Sequence, residues 1–219
     1  MTKAELRKIY HAKQKQLPAA GRNEKNGQIA NLFFQNFNLK KIRFLHCFLA
    51  IEKFNEIDTL LIFRKIWRGF PQIITFVPRV NFQINEIENL KFTPETKLIK
   101  NTWGINEPTE NETENKSVET KKFDVILVPL LCFDERGFRV GYGKGFYDRF
   151  LKNIRTDCLK IGLSYFAPVK KISDAQDFDV KLDFCVTPEK VWQFSNKTHH
   201  GATEDTEIFL PQIDPKKHR

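Results

Sequence analysis

Cysteine is scarce and unclustered in this 219-residue chain: Cys47, Cys132, Cys158 and Cys185 form no CxxC pair. Each sits beside strand-like apolar residues, as in FLHCFLAI and DFCV. That distribution excludes a disulfide framework and a clustered zinc site, and leaves four buried reduced thiols as the expectation. Long hydrophobic runs are missing too. The longest, Phe44 to Ile51 and Val125 to Phe133, are less than half of the ~20 residues a membrane-spanning helix needs. The opening residues carry Lys3, Glu5, Arg7 and Lys8 with no apolar stretch behind them, so no secretory signal is expected. These absences predict a cytoplasmic protein with no membrane partner. Hydrophobic residues at 41% and charged residues at 29% are ordinary for a soluble globular chain and exclude global disorder.

The charge is uneven. The formal net charge is +9, and residues 1–43 hold ten basic and two acidic side chains. Residues 135–155 add six basic and two acidic, whereas residues 105–120 hold five Glu and one Lys. Two separated basic segments can converge on one polyanion: nucleic acid, a nucleotide or a polyglutamylated small molecule. An RNA-binding module would interleave aromatics with basic residues on a sheet face. Most of the 21 Phe fall instead in apolar runs or on helix faces, which core packing explains.

Hydrophobic periodicity orders the elements. Thr2 and Glu5 form a capping-box pattern ahead of a helix with Leu6, Ile9 and Tyr10 on its apolar side. Pro18 and Gly21 interrupt it, and a second helix is predicted from Asn23 to about Asn36. Ile42 to Ile51 reads as a strand buried on both faces. Asp58 is placed to cap a helix that stops at Gly69. Strands are predicted at Gln72–Pro78, Val80–Ile84, Leu90–Phe92, Lys97–Ile99, Val125–Phe133, Leu159–Tyr165 and Leu182–Thr187, with a helix from about Lys144 to Asn153. Alternating strands and helices predict a three-layer α/β/α fold with a mostly parallel sheet, in a single domain over residues 1–195. Residues 106–121 read as a polar, acidic excursion, and residues 196–219 as a flexible tail whose His199 and His200 are solvated.

The chemistry concentrates in residues 128–151, VPLLCFDERGFRVGYGKGFYDRFL. Gly141, Gly143 and Gly145 alternate before a helix, a spacing that lets backbone N–H groups approach an anion. Arg139 and Lys144 add charge at the same place. The pattern is neither a P-loop, since Gly145 follows Lys144 where Ser or Thr is required, nor a dinucleotide fingerprint, whose third glycine falls at Phe146. Asp148, one helical turn past Lys144, is either a magnesium ligand beside phosphate or an ordinary first-turn carboxylate.

GYGKGFYDRF preceded by VPLLCFDERGFRV closely resembles the signature of the 5-formyltetrahydrofolate cyclo-ligase (5,10-methenyltetrahydrofolate synthetase) family. KAELRK at the start, FLAIEKFNEIDT, FVPRV, NTWGINEP and KLDFCVTP resemble further family motifs in the same order, covering residues 3 to about 190. The resemblance implies a fold like the sugar-phosphate isomerase and CoA-transferase superfamily. It implies a monomeric ligase that uses ATP and Mg²⁺ to convert 5-formyltetrahydrofolate, with or without a polyglutamate tail, to 5,10-methenyltetrahydrofolate, releasing ADP and phosphate. By resemblance, Lys3, Arg7 and the run Arg139, Val140, Gly141, Tyr142, Gly143, Lys144, Gly145, Phe146 and Tyr147 bind ATP, with Lys144 and Arg139 catalytic. Asp148 and Asp183 hold Mg²⁺. Leu49, Glu56, Trp103 and Tyr142 to Phe146 meet the folate, Glu56 as the carboxylate that hydrogen-bonds the pterin. Phe146 stands where the family commonly has Tyr. Lys3 and Arg7 share a helical face, a like-charge pair that costs roughly 0.2–0.5 kcal/mol in isolation and that phosphate would relieve. The alternatives are a basic RNA-binding module and a folate-binding relative without turnover.

Overall fold

Thr2 starts the first helix by the reciprocal capping its sequence predicts. Its hydroxyl accepts the Glu5 N–H at 3.3 Å while the Glu5 carboxylate accepts the Thr2 N–H at 2.8 Å, opening α1 (Lys3–Gln16). The computed structural model describes residues 1–219 except 82, 85, 102–104, 110–117 and 195–219. Helix α2 (Ala19–Asn36) begins earlier than the predicted Asn23. Pro18 is its N-cap, with φ −60° and an extended ψ of 148°, and Gly21 is absorbed into the first turn.

Strand β1 (Phe44–Cys47) is shorter than the apolar run that contains it. Beyond it the Phe48 carbonyl accepts the Thr59 hydroxyl at 2.6 Å, which draws the chain toward a 3-10 turn at Glu52–Phe54 and Asn55 in the left-handed region at φ 54°. Helix α3 (Leu60–Gly69) follows, with the Asp58 carboxylate accepting the Leu60 N–H at 3.0 Å. Next come β2 (Ile74–Asn81), β3 (Glu86–Lys91), β4 (Leu98–Lys100) and β5 (Asn106–Pro108). The separate strand expected at Val80–Ile84 is absorbed partly into β2 and its turn, and β5 arises inside the acidic segment, paired antiparallel with β4. The rest of that segment lies largely outside the described residues, as does the expected tail 196–219.

The second apolar run divides into β6 (Val125–Pro129) and β7 (Cys132–Phe133), because Pro129 has no N–H to continue a ladder. Strand β7 pairs antiparallel with β8 (Arg139–Val140). Their turn is organised by the buried Asp134, whose carboxylate accepts the N–H groups of Arg136, Phe138 and Ile172 at 3.0–3.1 Å and pairs with the Arg136 guanidinium at 2.7 Å. Helix α4 (Phe146–Lys152) starts two residues later than predicted, and β9 (Leu159–Leu163), β10 (Phe184–Val186) and β11 (Val191–Gln193) complete the chain.

The main sheet has the order β11-β10-β9-β6-β1-β2-β3, with β10, β9, β6, β1 and β2 parallel and both edge strands antiparallel. Residues alternate between two cores. Leu45, Cys47, Val125, Leu127, Ile161 and Leu163 pack under α2 and α3 through Ile29, Phe33, Ile62, Phe63 and Ile66. Ile126, Val128 and Cys185 face the opposite side with Phe123, Phe133 and the α4 residues Phe150 and Leu151. Helices therefore cover both faces, which is why the central strands are continuously apolar. A third cluster joins Leu6 and Tyr10 of α1 to Leu131, Cys132, Phe138, Val140 and Ile172 around the β7–β8 hairpin. All four cysteines are buried free thiols. Among the described residues no helix is long and apolar enough to cross a membrane.

Leu6 is 1% exposed and carries the docking of α1 onto the hairpin. Leu6→Ala is expected to cost about 2–5 kcal/mol, read as a fall in Tm of several degrees in thermal unfolding. A loss below about 1 kcal/mol, within the range of an average point substitution, would show that α1 is held by other contacts.

Candidate active site

The chain leaves β1 toward β2 on one side and later returns to place β6 on the other side of β1. Where strand order reverses in a parallel sheet, the connections leaving the carboxyl ends of the two neighbouring strands part and leave a crevice. A cavity of about 950 Å³ occupies that position, lined by Ile51 after β1, Val80 near the end of β2, Pro129 at the end of β6 and the loop that follows β8.

One wall is cationic. The β7–β8 hairpin returns the chain so that residues 139–148 border the cavity. Gly143 at φ 92° and Gly145 at φ 70° occupy the left-handed region, and a Cβ at Gly143 would stand 3.1 Å from the Arg7 guanidinium. That closeness has a partner: Arg7 Nε donates to the Gly141 carbonyl at 2.9 Å, tying α1 to the glycine loop. One turn earlier, Lys3 Nζ donates to Asp179 at 2.5 Å, and the Lys3 N–H is taken by Asp174 at 2.7 Å. Arg139 is 8% exposed and donates to Asp148 and to the Val180 carbonyl, both at 2.5 Å. Burial pulls its pKa down, with Asp148 and Asp179 opposing. Lys8 and the exposed Lys144 add two further cations to the lining.

The other wall is aromatic and holds a carboxylate behind it. Phe54, Tyr142, Phe146 and Tyr147 line the cavity, with Phe54 stacked on Tyr142 at 5.1 Å and His11 edge-on to Phe54 at 5.3 Å. Glu56 accepts the Ile51 N–H at 2.8 Å. Desolvation raises its pKa to about 7, against the pull of that donor and of the neighbouring Tyr142 hydroxyl. The Tyr147 hydroxyl is buried with no hydrogen-bond partner among the described residues, an unmade bond that costs about 1–3 kcal/mol.

The residues that the sequence offered as ATP contacts, Lys3, Arg7 and 139–147, therefore all lie on one cavity, and Asp148 joins them. Of the other predicted site residues, Leu49, Glu56 and Asp183 do not line it. Leu49 is buried in the core under α2 and α3 and does not line the cavity. Trp103 lies outside the described residues. The buried carboxylate of Asp183 accepts the Lys160 N–H at 2.9 Å and pairs with Lys160 Nζ at 2.5 Å, away from the cavity lining. Among the described residues no group of three or more His, Cys, Asp and Glu is assembled as a metal cage. Sequence reasoning passed over Asp179, His11, Lys53 and Phe54. None belongs to a periodic pattern, and Asp179 reaches the site only because the segment after β9 folds back over Lys3.

The 5-formyltetrahydrofolate cyclo-ligase family model matches residues 1–188. The chain is 29% identical over 149 residues to the 5-formyltetrahydrofolate cyclo-ligase of Escherichia coli K12, covering 67% of this chain and 79% of that protein. It is 33% identical over 108 residues to the mouse protein of the same name, covering 48% and 51%. An NMR structure of 5,10-methenyltetrahydrofolate synthetase from Aquifex aeolicus superposes with a TM-score of 0.72 at 28% identity, covering 93% of this chain and all (100%) of that one. The Mycoplasma pneumoniae synthetase shares the fold, with a TM-score of 0.67 at 24% identity over 86% of this chain and 100% of that one. With a signature loop, a cationic wall and a family match that extends from α1 past β10, the chain belongs to the 5-formyltetrahydrofolate cyclo-ligase family.

Proposed function

We propose that this protein uses ATP to convert 5-formyltetrahydrofolate to 5,10-methenyltetrahydrofolate, acting as a cytoplasmic monomer with no nucleic-acid or membrane partner. The observation that carries this reading is one crevice lined by two kinds of side chain: the cations Lys3, Arg7, Arg139 and Lys144, and the aromatics Phe54, Tyr142 and Phe146. A triphosphate suits the first and a flat heterocycle the second. The basic amino-terminal helix points its Lys3 and Arg7 into this cavity, which favours a nucleotide over an extended RNA strand.

The formyl oxygen is a poor leaving group. Its attack on the γ-phosphorus of ATP forms a P–O bond and releases ADP. N10 then attacks the activated carbon, the ring closes, and phosphate departs with the former formyl oxygen. Such a transfer needs positioning and charge neutralisation more than covalent help from side chains. Lys144, on the loop that borders both walls, is the group we assign to the charge developing on the transferred phosphoryl, with Arg139 steadying the loop through Asp148. Lys3 and Arg7 would hold the other phosphates. Glu56 would orient the pterin. Magnesium keeps several waters and uses one or two carboxylates together with substrate phosphates. The half-exposed Asp148 (45% for its side chain) fits that donor set, whereas Asp183, spent on Lys160, does not. When bound with the nucleotide, the ion would neutralise phosphate charge.

Purified protein given 5-formyltetrahydrofolate, ATP and Mg²⁺ is expected to generate methenyl absorbance that vanishes when ATP is omitted. Absence of product with both ligands bound would make it a folate-binding relative without turnover. Lys144→Ala should lower kcat by about 10²–10³-fold while the folate Kd stays near wild type. Equal loss of both would overturn the phosphoryl-transfer role.

Glu56 makes a second test. Unfolded, it titrates near about 4.3; folded, near about 7, so between these values the folded state holds a proton that the unfolded state has released. Stability from this group is therefore present at low pH and lost as pH rises through that window. Glu56→Gln, uncharged throughout, should have a higher Tm than wild type at pH 8 and lose that advantage by pH 5, with reduced kcat/KM for the folate. A Tm difference independent of pH would remove the raised titration of Glu56.

A further inference from the structure

Arg149 lies midway along the short helix α4. The Cα–Cβ bonds of a helix tilt toward its N-terminus, so this side chain covers the preceding turn, where the glycine loop ends. Three observations put the guanidinium there. Its Nη2 donates to the Lys144 carbonyl at 3.3 Å. Its Nη1 lies where a Cβ on Gly145 would stand 3.0 Å away. Its central carbon sits over the Phe146 ring, 5.2 Å from the centroid, within range of a cation–π contact. One planar group therefore lies against three consecutive residues, Lys144, Gly145 and Phe146. The main chain adds a further tie, since the Arg149 N–H donates to the Gly145 carbonyl at 3.1 Å.

The loop needs such a hold because its own backbone supplies little stiffness. Lys144 sits between Gly143 at φ 92° and Gly145 at φ 70°, and glycine has the widest backbone freedom of any residue. Where the Lys144 ammonium goes is set by the peptide planes on either side of it. The first half of the loop is fixed by other residues: the Gly141 carbonyl accepts Arg7 Nε at 2.9 Å, and Arg139 donates to Asp148 at 2.5 Å. The bond from Arg149 fixes the carbonyl of Lys144 itself, and so the plane that leads into Gly145. Adjacent residues of α4, Asp148 and Arg149, thus hold the two ends of the loop.

Lys144 lines the cavity and Arg149 does not. The exposed Arg149 side chain meets the loop from outside the cavity. We infer that Arg149 is a positioning residue: it fixes the backbone of Lys144 and thereby the point at which the ammonium enters the cavity. Its planar fork suits the task, reaching a carbonyl and a ring at once, where a lysine in the same place would offer a flexible point charge. The inference rests on the reading of Lys144 as the group that meets the transferred phosphoryl.

The loop is read first, in ligand-free protein, by ¹⁵N relaxation at the amides of Gly143, Lys144, Gly145 and Phe146. Wild type should show rigid-backbone order there, and Arg149→Ala should bring Lys144 and Gly145 below an order parameter of about 0.6. Because the side chain is exposed, Tm should stay near wild type. Unchanged order in Arg149→Ala overturns the inference whatever the substrate is. Turnover is read second. Arg149→Ala should lower kcat by about tenfold, with KM for ATP and for 5-formyltetrahydrofolate within about twofold, as for a misplaced catalytic group rather than a lost ligand contact. Arg149→Lys keeps the charge without the fork and should retain most of that loss. Full recovery in Arg149→Lys would assign the effect to charge and overturn the positioning role. In the Lys144→Ala background, Arg149→Ala should cost less than about twofold. A second tenfold loss there would mean that Arg149 acts on the nucleotide directly, and also overturns the inference. Wild-type kcat in Lys144→Ala would instead sink the reading of Lys144, and the role of Arg149 in turnover falls with it, while the relaxation result still decides whether Arg149 clamps the loop.

Discussion

The burial of Leu6 and Tyr10 against the β7–β8 hairpin is the contact on which the candidate site depends. The hairpin carries the glycine loop at its end, and α1 carries Lys3, Arg7 and Gln14, so one apolar seam sets the separation of every group on the cationic wall. The seam in turn needs the hairpin to be rigid, and the buried Asp134 provides that by accepting three backbone N–H groups and one guanidinium. A buried carboxylate is tolerable only when its oxygens are satisfied this fully.

The crevice balances opposing charges before any ligand arrives. Arg139 pairs with Asp148 and Lys3 with Asp179, so two of the cations have carboxylate partners that a polyanion would have to replace or share. Arg7 is held by a backbone carbonyl instead, which fixes its position without neutralising it. The aromatic wall follows another logic. Glu56 is half-buried, and the desolvation that raises its pKa opposes the hydrogen bond it accepts from the Ile51 N–H.

Much of the fold was legible from local pattern. The capping box at Thr2, the α3 helix ahead of Gly69 and the apolar run at Val125–Val128 appear as their sequences predict, because each is governed by neighbours a few residues away. Boundaries moved where a distant partner competed for a backbone group. The Thr59 hydroxyl takes the Phe48 carbonyl and helps end β1 early, and Pro129 divides the following run into two strands. The short strands β5, β8 and β11 carried no periodic signal, since two or three residues are too few to show one.

At the site, the sequence by itself determined the chemistry: a glycine-alternating loop with Arg139 and Lys144, a basic first helix and the family signature are all local and contiguous. It could not determine which remote side chains meet that loop. Asp179 at the cavity, Asp183 engaged by Lys160, and Gln14 turned inward to Tyr142 follow from how the segment after β9, the strand β10 and the helix α1 pack. The contacts of Asp179 with Lys3 and of Gln14 with Tyr142 span 176 and 128 residues, and no spacing rule reaches that far.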